Sequence, residues 1–255
     1  MALNGPVKMI VVDLDDTLLQ TDKTVSSYTY AVFSHIRKLG IKLVYATARG
    51  TSASRMIPNE LFDGFVRHNG AKVHWQERLI YQRGIHPESY VPFLKKLSEY
   101  GLKVAAEIDE LHYANFDVWE KWDNIGGCVI TDYTNIEGVA DKLYAFVEAP
   151  GQLDLIQSSL PLKTHLKLAR DMLAMVMHEE AQKSLGVKAL ANAMGIGREN
   201  ILGFGDDLND IDLLHYCGTS VAMGNALEDV KAAADHIAGT NNEDGIARWL
   251  KEHLL

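Results

Sequence analysis

Two stretches carry the residues best suited to chemistry. In residues 9–18, Met-Ile-Val-Val-Asp-Leu-Asp-Asp-Thr-Leu, the apolar run Met9 to Val12 leads into Asp13, Asp15, Asp16 and Thr17. Residues 201–210 repeat the pattern, with Ile201 to Phe204 running into Gly205-Asp206-Asp207-Leu208-Asn209-Asp210. A short unbroken apolar run fits a buried strand of a parallel sheet. Open α/β sheets bind ligands beyond the carboxyl ends of such strands. Carboxylates beside a core strand are costly unless a cation compensates them. The first cluster alone reads equally well as a solvated acidic turn. Two clusters converging on one sheet edge would repel each other strongly, and together they point to a metal site. Neither contains His or Cys, which argues against zinc. Carboxylate oxygens suit Mg²⁺, which keeps several waters and commonly binds a substrate phosphate as well.

These clusters need a scaffold, and the intervening sequence predicts one. Val25, Tyr28, Val32, Ile36 and Leu39 recur at helical spacing and Gly40 follows as a C-terminal cap, so 25–39 is an amphipathic helix. Ile41 to Tyr45 reads as a strand that ends in Ala46-Thr47-Ala48-Arg49-Gly50. Strand, helix and strand make a βαβ unit. That unit would bring the Thr47 hydroxyl to the sheet edge that carries Asp13. Residues 51–57 read as a short helix stopped by Pro58, and Asn69-Gly70 as a turn between two strand-like pieces. From 83 to 181 the texture changes: a helix over 87–100, strands over 102–108 and 143–147, a helix over 150–160, and two strands in 162–178 that meet near Asp171. These do not alternate cleanly, so the stretch reads as an inserted α+β module. Regular βα alternation resumes at 184, with helices over 185–194, 227–234 and 243–253, a helix that follows Asp210 and runs to Tyr216, and strands over 201–204 and 220–223. The fold class is therefore α/β. A discontinuous parallel-sheet core spans 1–82 and 182–255, and the insert spans 83–181.

Composition narrows the function. The chain has 255 residues, 47% of them hydrophobic, enough for one large core or two smaller ones. A formal charge of -9 argues against a nucleic-acid or membrane surface as the main partner. Cys128 and Cys217 form no CxxC motif, so a reducing interior is the natural home. The N-terminal Met-Ala-Leu-Asn-Gly-Pro lacks the charged and apolar regions of a signal peptide, and no apolar run reaches the roughly 18 residues of a membrane span. A cytoplasmic protein is expected. There is no GxxxxGK[ST] phosphate loop and no GxSxG, and Gly195-Ile196-Gly197-Arg198-Glu199-Asn200 misses the third glycine of a dinucleotide fingerprint.

Asp13-Leu14-Asp15-Asp16-Thr17 resembles the first motif of the haloacid dehalogenase-like phosphatases, Thr47 the second, Lys183 the third, and Gly205-Asp206-Asp207-Leu208-Asn209-Asp210 the fourth. An insert between the second and third motifs, with Met223-Gly224-Asn225-Ala226 and Asn242-Glu243-Asp244-Gly245 near the C-terminus, resembles the subgroup with the larger α/β cap, the Cof-type sugar-phosphate phosphatases. The resemblance implies a Rossmann-like core under a cap that closes over the site and sets substrate choice. It implies Asp13 as the nucleophile that forms an aspartyl-phosphate, and Asp15 as general acid and then general base. It implies Mg²⁺ held by Asp13, the Asp15 carbonyl, Asp206 and, through water, Asp210. Thr47, Ala48, Arg49, Lys183 and Asn209 would bind the phosphoryl group, with Asn209 placing either that group or Lys183. Ser184 and Ala48 stand where the family commonly has glycine.

Plainer readings stand beside these roles. Thr47 can cap the helix that follows it, and Asn209 or Asp210 the helix that begins there. Asp16 and Asp207 read as turn or supporting residues. Lys183, with Lys188 close by, can be a solvated lysine at a helix start. His35, His68 and His215 read as surface or packing residues. The insert carries nine Lys or Arg against 16 Asp or Glu, a net charge of -7, which disfavours a polyanionic substrate. Tyr113, Phe116, Trp119 and Trp122 can stack on a sugar, although such spacing is more often helix packing. The function expected is a Mg²⁺-dependent phosphatase of a small phosphorylated metabolite, a sugar phosphate foremost. A phosphotransferase or sugar phosphomutase is the alternative within enzymes, and a non-catalytic phosphometabolite sensor the alternative outside them.

Overall fold

A computed structural model describes residues 5–50, 52–76, 78–123, 125–169 and 171–255. The first four residues, and Thr51 at the predicted start of the short helix, lie outside the described residues. In chain order, β1 (Met9–Val12), α1 (Ser27–Lys38), β2 (Lys42–Ala46), α2 (Ala53–Met56), β3 (Gly64–Arg67), β4 (Lys72–Trp75) and β5 (Arg78–Gln82) come first. Next are α3 (Pro87–Glu99), β6 (Val104–Ile108), β7 (Leu111–Ala114), β8 (Cys128–Ile130), β9 (Lys142–Phe146), α4 (Gln152–Ser159), β10 (Thr164–Leu168) and β11 (Leu173–His178). The chain closes with α5 (Lys183–Ala193), β12 (Ile201–Gly205), α6 (Ile211–Tyr216), β13 (Thr219–Ala222), α7 (Glu228–Ala233), β14 (His236–Ile237) and α8 (Gly245–Leu254). These elements fall into two compact units, one of residues 1–49, 53–82 and 182–255, the other of 50–52 and 83–181.

The first unit is an eight-stranded sheet in the order β14-β13-β12-β1-β2-β3-β4-β5. β1 is buried on both faces, as its apolar run requires, and pairs in parallel with β2 and β12. Ser26 caps α1 by accepting from the Thr29 N–H at 3.0 Å, and Gly40 ends it at φ +83°. One face of the sheet packs Ile10, Val12, Tyr45 and Phe204 against Phe33 and Ile36 of α1 and Trp249 and Leu250 of α8. The other packs Met9, Val11, Val44 and Val66 against Val187 and Leu190 of α5 and Leu213 of α6. The carboxyl ends of β1, β2 and β12 therefore share one edge. β4 joins β3 antiparallel through the turn at Asn69-Gly70, and β5 pairs antiparallel with β4.

The second unit is a six-stranded sheet in the order β10-β11-β9-β6-β7-β8. One face carries α3 and α4 over a core that includes Tyr90, Phe93, Leu97, Val104, Leu143 and Ile156. Helix-type packing of residues 112–122 is corrected here. His112 and Tyr113 lie in strand β7, and only Val118–Glu120 form a single 3-10 turn. Trp122 packs edge-to-face on Tyr144 at 5.5 Å and lies 5.6 Å from Phe146, while Trp119 is 48% exposed. His112 Nδ1 lies 2.8 Å from the Tyr144 hydroxyl, and Lys142 pairs with Glu107 at 3.2 Å, both buried.

Candidate active site

The parallel register sets Val12 beside Phe204, so each acidic cluster starts where its strand ends. The Asp13 N–H donates to the Phe204 carbonyl at 3.1 Å. Carboxylate oxygens of Asp13, Asp206 and Asp210 lie within 4.8 Å of one another, and all three residues are buried. Lys183 is fully buried among them, its Nζ 2.6 Å from Asp13 Oδ1 and 2.6 Å from Asp210 Oδ1. The plain reading of Lys183 as a solvated lysine is thereby corrected. Thr17 donates its hydroxyl to Asp206 Oδ1 at 2.7 Å, which ties the first cluster to the second. Asp210 does two jobs. Its Oδ2 accepts from the N–H groups of Asp206 and Asp207 at 3.1 and 3.2 Å, closing the turn, while Oδ1 faces Lys183. Gly205 makes this possible, because a Cβ there would lie 2.5 Å from the Asp210 Cβ.

The electrostatics explain why a metal fits. Three carboxyl groups share this buried space with one ammonium, so ionising all of them would leave a surplus of negative charge. Burial pushes the Asp13 carboxyl well above its ordinary range; Lys183 opposes the shift, and Asp210 and Asp206 add to it. Burial alone would lower the Lys183 ammonium, but Asp13 and Asp210 outweigh it and hold it raised. A divalent cation with oxygen preference would relieve the surplus, and the donor set of Asp13, Asp206 and Asp210 is all oxygen.

Asp15 is engaged elsewhere. Arg49 grips it with two hydrogen bonds, Nε to Oδ2 at 2.5 Å and Nη2 to Oδ1 at 2.8 Å, and Lys23 Nζ sits 2.9 Å from Oδ1. Burial acts to raise the Asp15 carboxyl, but Arg49 and Lys23 outweigh it and hold the group below its ordinary value. Lys23 had no signal in the sequence beyond its charge. Asp16 is a turn residue at φ +57° whose carbonyl accepts from Asn225 Nδ2 at 2.7 Å. Asp207 is also a turn residue, accepting from the Leu208 N–H at 2.8 Å.

Thr47 does not cap α2. Its Oγ1 accepts from the Arg49 N–H at 3.1 Å, forming a tight turn around Ala48 at the end of β2. Asn69, read from sequence only as a turn, joins two segments of the site. Its N–H donates to the Thr47 carbonyl at 2.9 Å, and its Oδ1 accepts from Asn209 Nδ2 at 3.0 Å. The available signal was that an Asn-Gly pair ends the strand next to the one carrying Thr47. His35 and His215 are exposed, and His68 is buried beside Asn69.

Close backbone approach sets where α5 begins. Gly70 has φ +108°, and a Cβ there would lie 2.1 Å from the Gln182 carbonyl oxygen. Gly186 lies over the same turn, since its Cβ would be 2.5 Å from Val66 Cγ1 and 3.4 Å from the Gly70 Cα. We expect Gly70→Ala to cost about 3 kcal/mol or more from the clash and the left-handed backbone together. The same exchange at Gly40, where nothing lies within 4 Å, should cost only about 1–2 kcal/mol. Thermal melts of both variants check this, and equal losses would refute the close-approach argument.

A family profile for haloacid dehalogenase-like hydrolases matches residues 10–250. The chain is 31% identical to the 5-amino-6-(5-phospho-D-ribitylamino)uracil phosphatase YitU of Bacillus subtilis, covering 96% of this chain and 97% of that protein. The structure resembles a haloacid dehalogenase-like hydrolase from Bacteroides thetaiotaomicron with a TM-score of 0.84 and 27% identity, covering 96% and 99% of the two chains. It also resembles the subclass IIB sugar phosphatase BT4131, with a TM-score of 0.84 and 25% identity over 96% and 98% of the chains. The buried carboxylates around one lysine stand on three of the four motifs that suggested this kinship, and the chain belongs to the haloacid dehalogenase-like hydrolases as a phosphatase of that family.

Proposed function

We propose that this phosphatase hydrolyses a small phosphorylated metabolite, of the sugar or polyol phosphate class, through a phosphoryl group carried transiently on Asp13. The observation that carries the reading is the buried cluster in which Lys183 bridges Asp13 and Asp210 beside Asp206. An Asp13 oxygen attacks phosphorus, and the bond from phosphorus to the leaving oxygen breaks. Asp15 gives its proton to the departing alkoxide, then takes a proton from the water that attacks the phosphorylated Asp13 and releases orthophosphate. To donate that proton Asp15 must first carry it, so it must part from Arg49 and Lys23, which favour its ionised form, and take up a proton from solvent before the first turnover; the attacking water restores it afterwards. A parted Arg49 is then available to the phosphoryl oxygens, with the Thr47 hydroxyl, the turn at Ala48, Asn209 and Lys183. Asp13, the Asp15 carbonyl, Asp206 and Asp210 would hold Mg²⁺, which supplies neutralisation of phosphoryl charge.

Choice of leaving group is assigned to the 83–181 unit. Its net charge of -7 favours a neutral, hydroxyl-rich leaving group over a second phosphate. The names of the relatives support the class, one acting on a phosphoribityl compound and one on sugar phosphates. Phosphate release from a panel of metabolites, with Mg²⁺ and with EDTA, tests the proposal. Turnover is expected to fall at least about 100-fold in EDTA and return with Mg²⁺, in line with loss of the main electrostatic contribution. Sugar and polyol monophosphates are expected to rank first. EDTA-insensitive turnover would overturn the metal dependence, and a bisphosphate ranking first would overturn the leaving-group assignment.

A further inference from the structure

Lys183 is the first residue of α5, so the position of its ammonium depends on where that helix starts. The start has no local cap, because Gln182 at the N-cap position makes no side-chain hydrogen bond to it. Helix N-termini leave N–H groups that need an acceptor. Here a carboxylate from another element supplies one: Asp212 Oδ2, in the first turn of α6, accepts from the Ser184 N–H at 2.8 Å. Negative charge at that end also suits the helix dipole. Asp212 lies two residues beyond Asp210, so one short segment holds this lysine at both ends. Asp210 meets its Nζ at 2.6 Å, and Asp212 meets the backbone next to it at 2.8 Å. From the opposite side, the Gln182 backbone abuts the Gly70 turn.

We propose that Asp212 is a positioning residue for the phosphatase reaction, fixing the start of α5 so that the Lys183 ammonium stays between Asp13 and Asp210. This rests on the proposed roles of Asp13 and Lys183. Displacing a charged group by a fraction of an ångström weakens its action on the reacting phosphoryl group without removing it. The test uses the full chain with p-nitrophenyl phosphate and Mg²⁺, and rates are taken per folded protein. Asp212→Ala is expected to lower kcat about tenfold with a smaller change in KM. Asp212→Asn, which keeps an oxygen acceptor for Ser184, is expected to recover most of the rate. The decisive comparison is the double variant Asp212→Ala with Lys183→Met, which is expected to be no slower than Lys183→Met alone, because Asp212 acts through that lysine. A purely structural role predicts additive losses, and additive losses overturn the proposal. Asp212→Glu keeps the charge but moves the oxygens by one methylene. It is expected to lose about threefold, and it carries the test if the alanine variant does not fold. Wild-type kcat in Asp212→Ala, or in Asp212→Glu where the alanine variant does not fold, also overturns the proposal. Wild type and Asp13→Asn run in the same assay separate the two levels. An inactive wild type or an active Asp13→Asn counts against the proposed function, whereas the expected behaviour of both with an unaffected Asp212→Ala counts against Asp212 alone.

Discussion

Asp13→Asn is expected to reduce phosphate release by at least about 10⁴-fold, the scale of loss when a nucleophile is removed. The exchange is nearly isosteric, and the amide oxygen can still accept from Lys183, which lies 2.6 Å from Asp13 Oδ1. The amide is too weak a nucleophile to attack phosphorus and leaves no carboxylate to regenerate. The fold should survive. The substitution removes one negative charge from a buried space with a surplus of it, where burial has already pushed the Asp13 carboxyl upward. The melting temperature in EDTA is therefore expected to equal or exceed that of the wild type. Phosphate release and thermal melts on the same preparation check both statements. Residual turnover near the wild-type rate would show that another group attacks.

Lys183→Met should affect both rate and stability. The side chain is fully buried and bridges two carboxylates. Deleting it leaves Asp13, Asp206 and Asp210 facing one another with no cation. Breaking a buried pair by removing one partner costs about 3–5 kcal/mol, and that loss is expected in EDTA. Mg²⁺ should restore a larger share of stability to the variant than it adds to the wild type, because the ion then meets a stronger field of negative charge. Turnover with Mg²⁺ is expected to fall about 10²–10³-fold, the range for losing one preorganised electrostatic contact in a transition state. Melts with and without Mg²⁺, beside steady-state rates, measure these effects. An unchanged melting temperature in EDTA would mean that the pairing contributes nothing to the fold.

Much of the scaffold could be read directly from residue pattern. The apolar runs at Met9–Val12 and Ile201–Gly205 are strands, the spacing from Tyr28 to Ile36 is a helix, and the acidic clusters begin where those strands end. These are local signals, set by side-chain periodicity and by the need to bury apolar surface. Where the local signal was ambiguous, the tertiary environment decided. Residues 112–122 have helical spacing of aromatics, yet β6 and β8 recruit His112 and Tyr113 into a strand between them. The helix predicted to open at Leu185 opens at Lys183, because its first turn is capped by Asp212, 28 residues away from Ser184.

By itself, the sequence determined which groups reach the sheet edge: carboxylates after β1 and β12, a hydroxyl after β2, and an all-oxygen donor set without His or Cys. Only the tertiary structure decided how those groups are paired. Lys183 is shared between Asp13 and Asp210, Thr17 reaches Asp206 across 189 residues, and Asn209 reaches Asn69 across 140. Asp15, placed beside Asp13 by sequence, is held by Arg49 and Lys23 instead of joining the carboxylate cluster. The reason is physical: strand pattern sets the edge at which a side chain emerges. Its ion pairs depend on distances of a few ångströms between segments far apart in the chain, and these exist only once the sheet has brought those segments together.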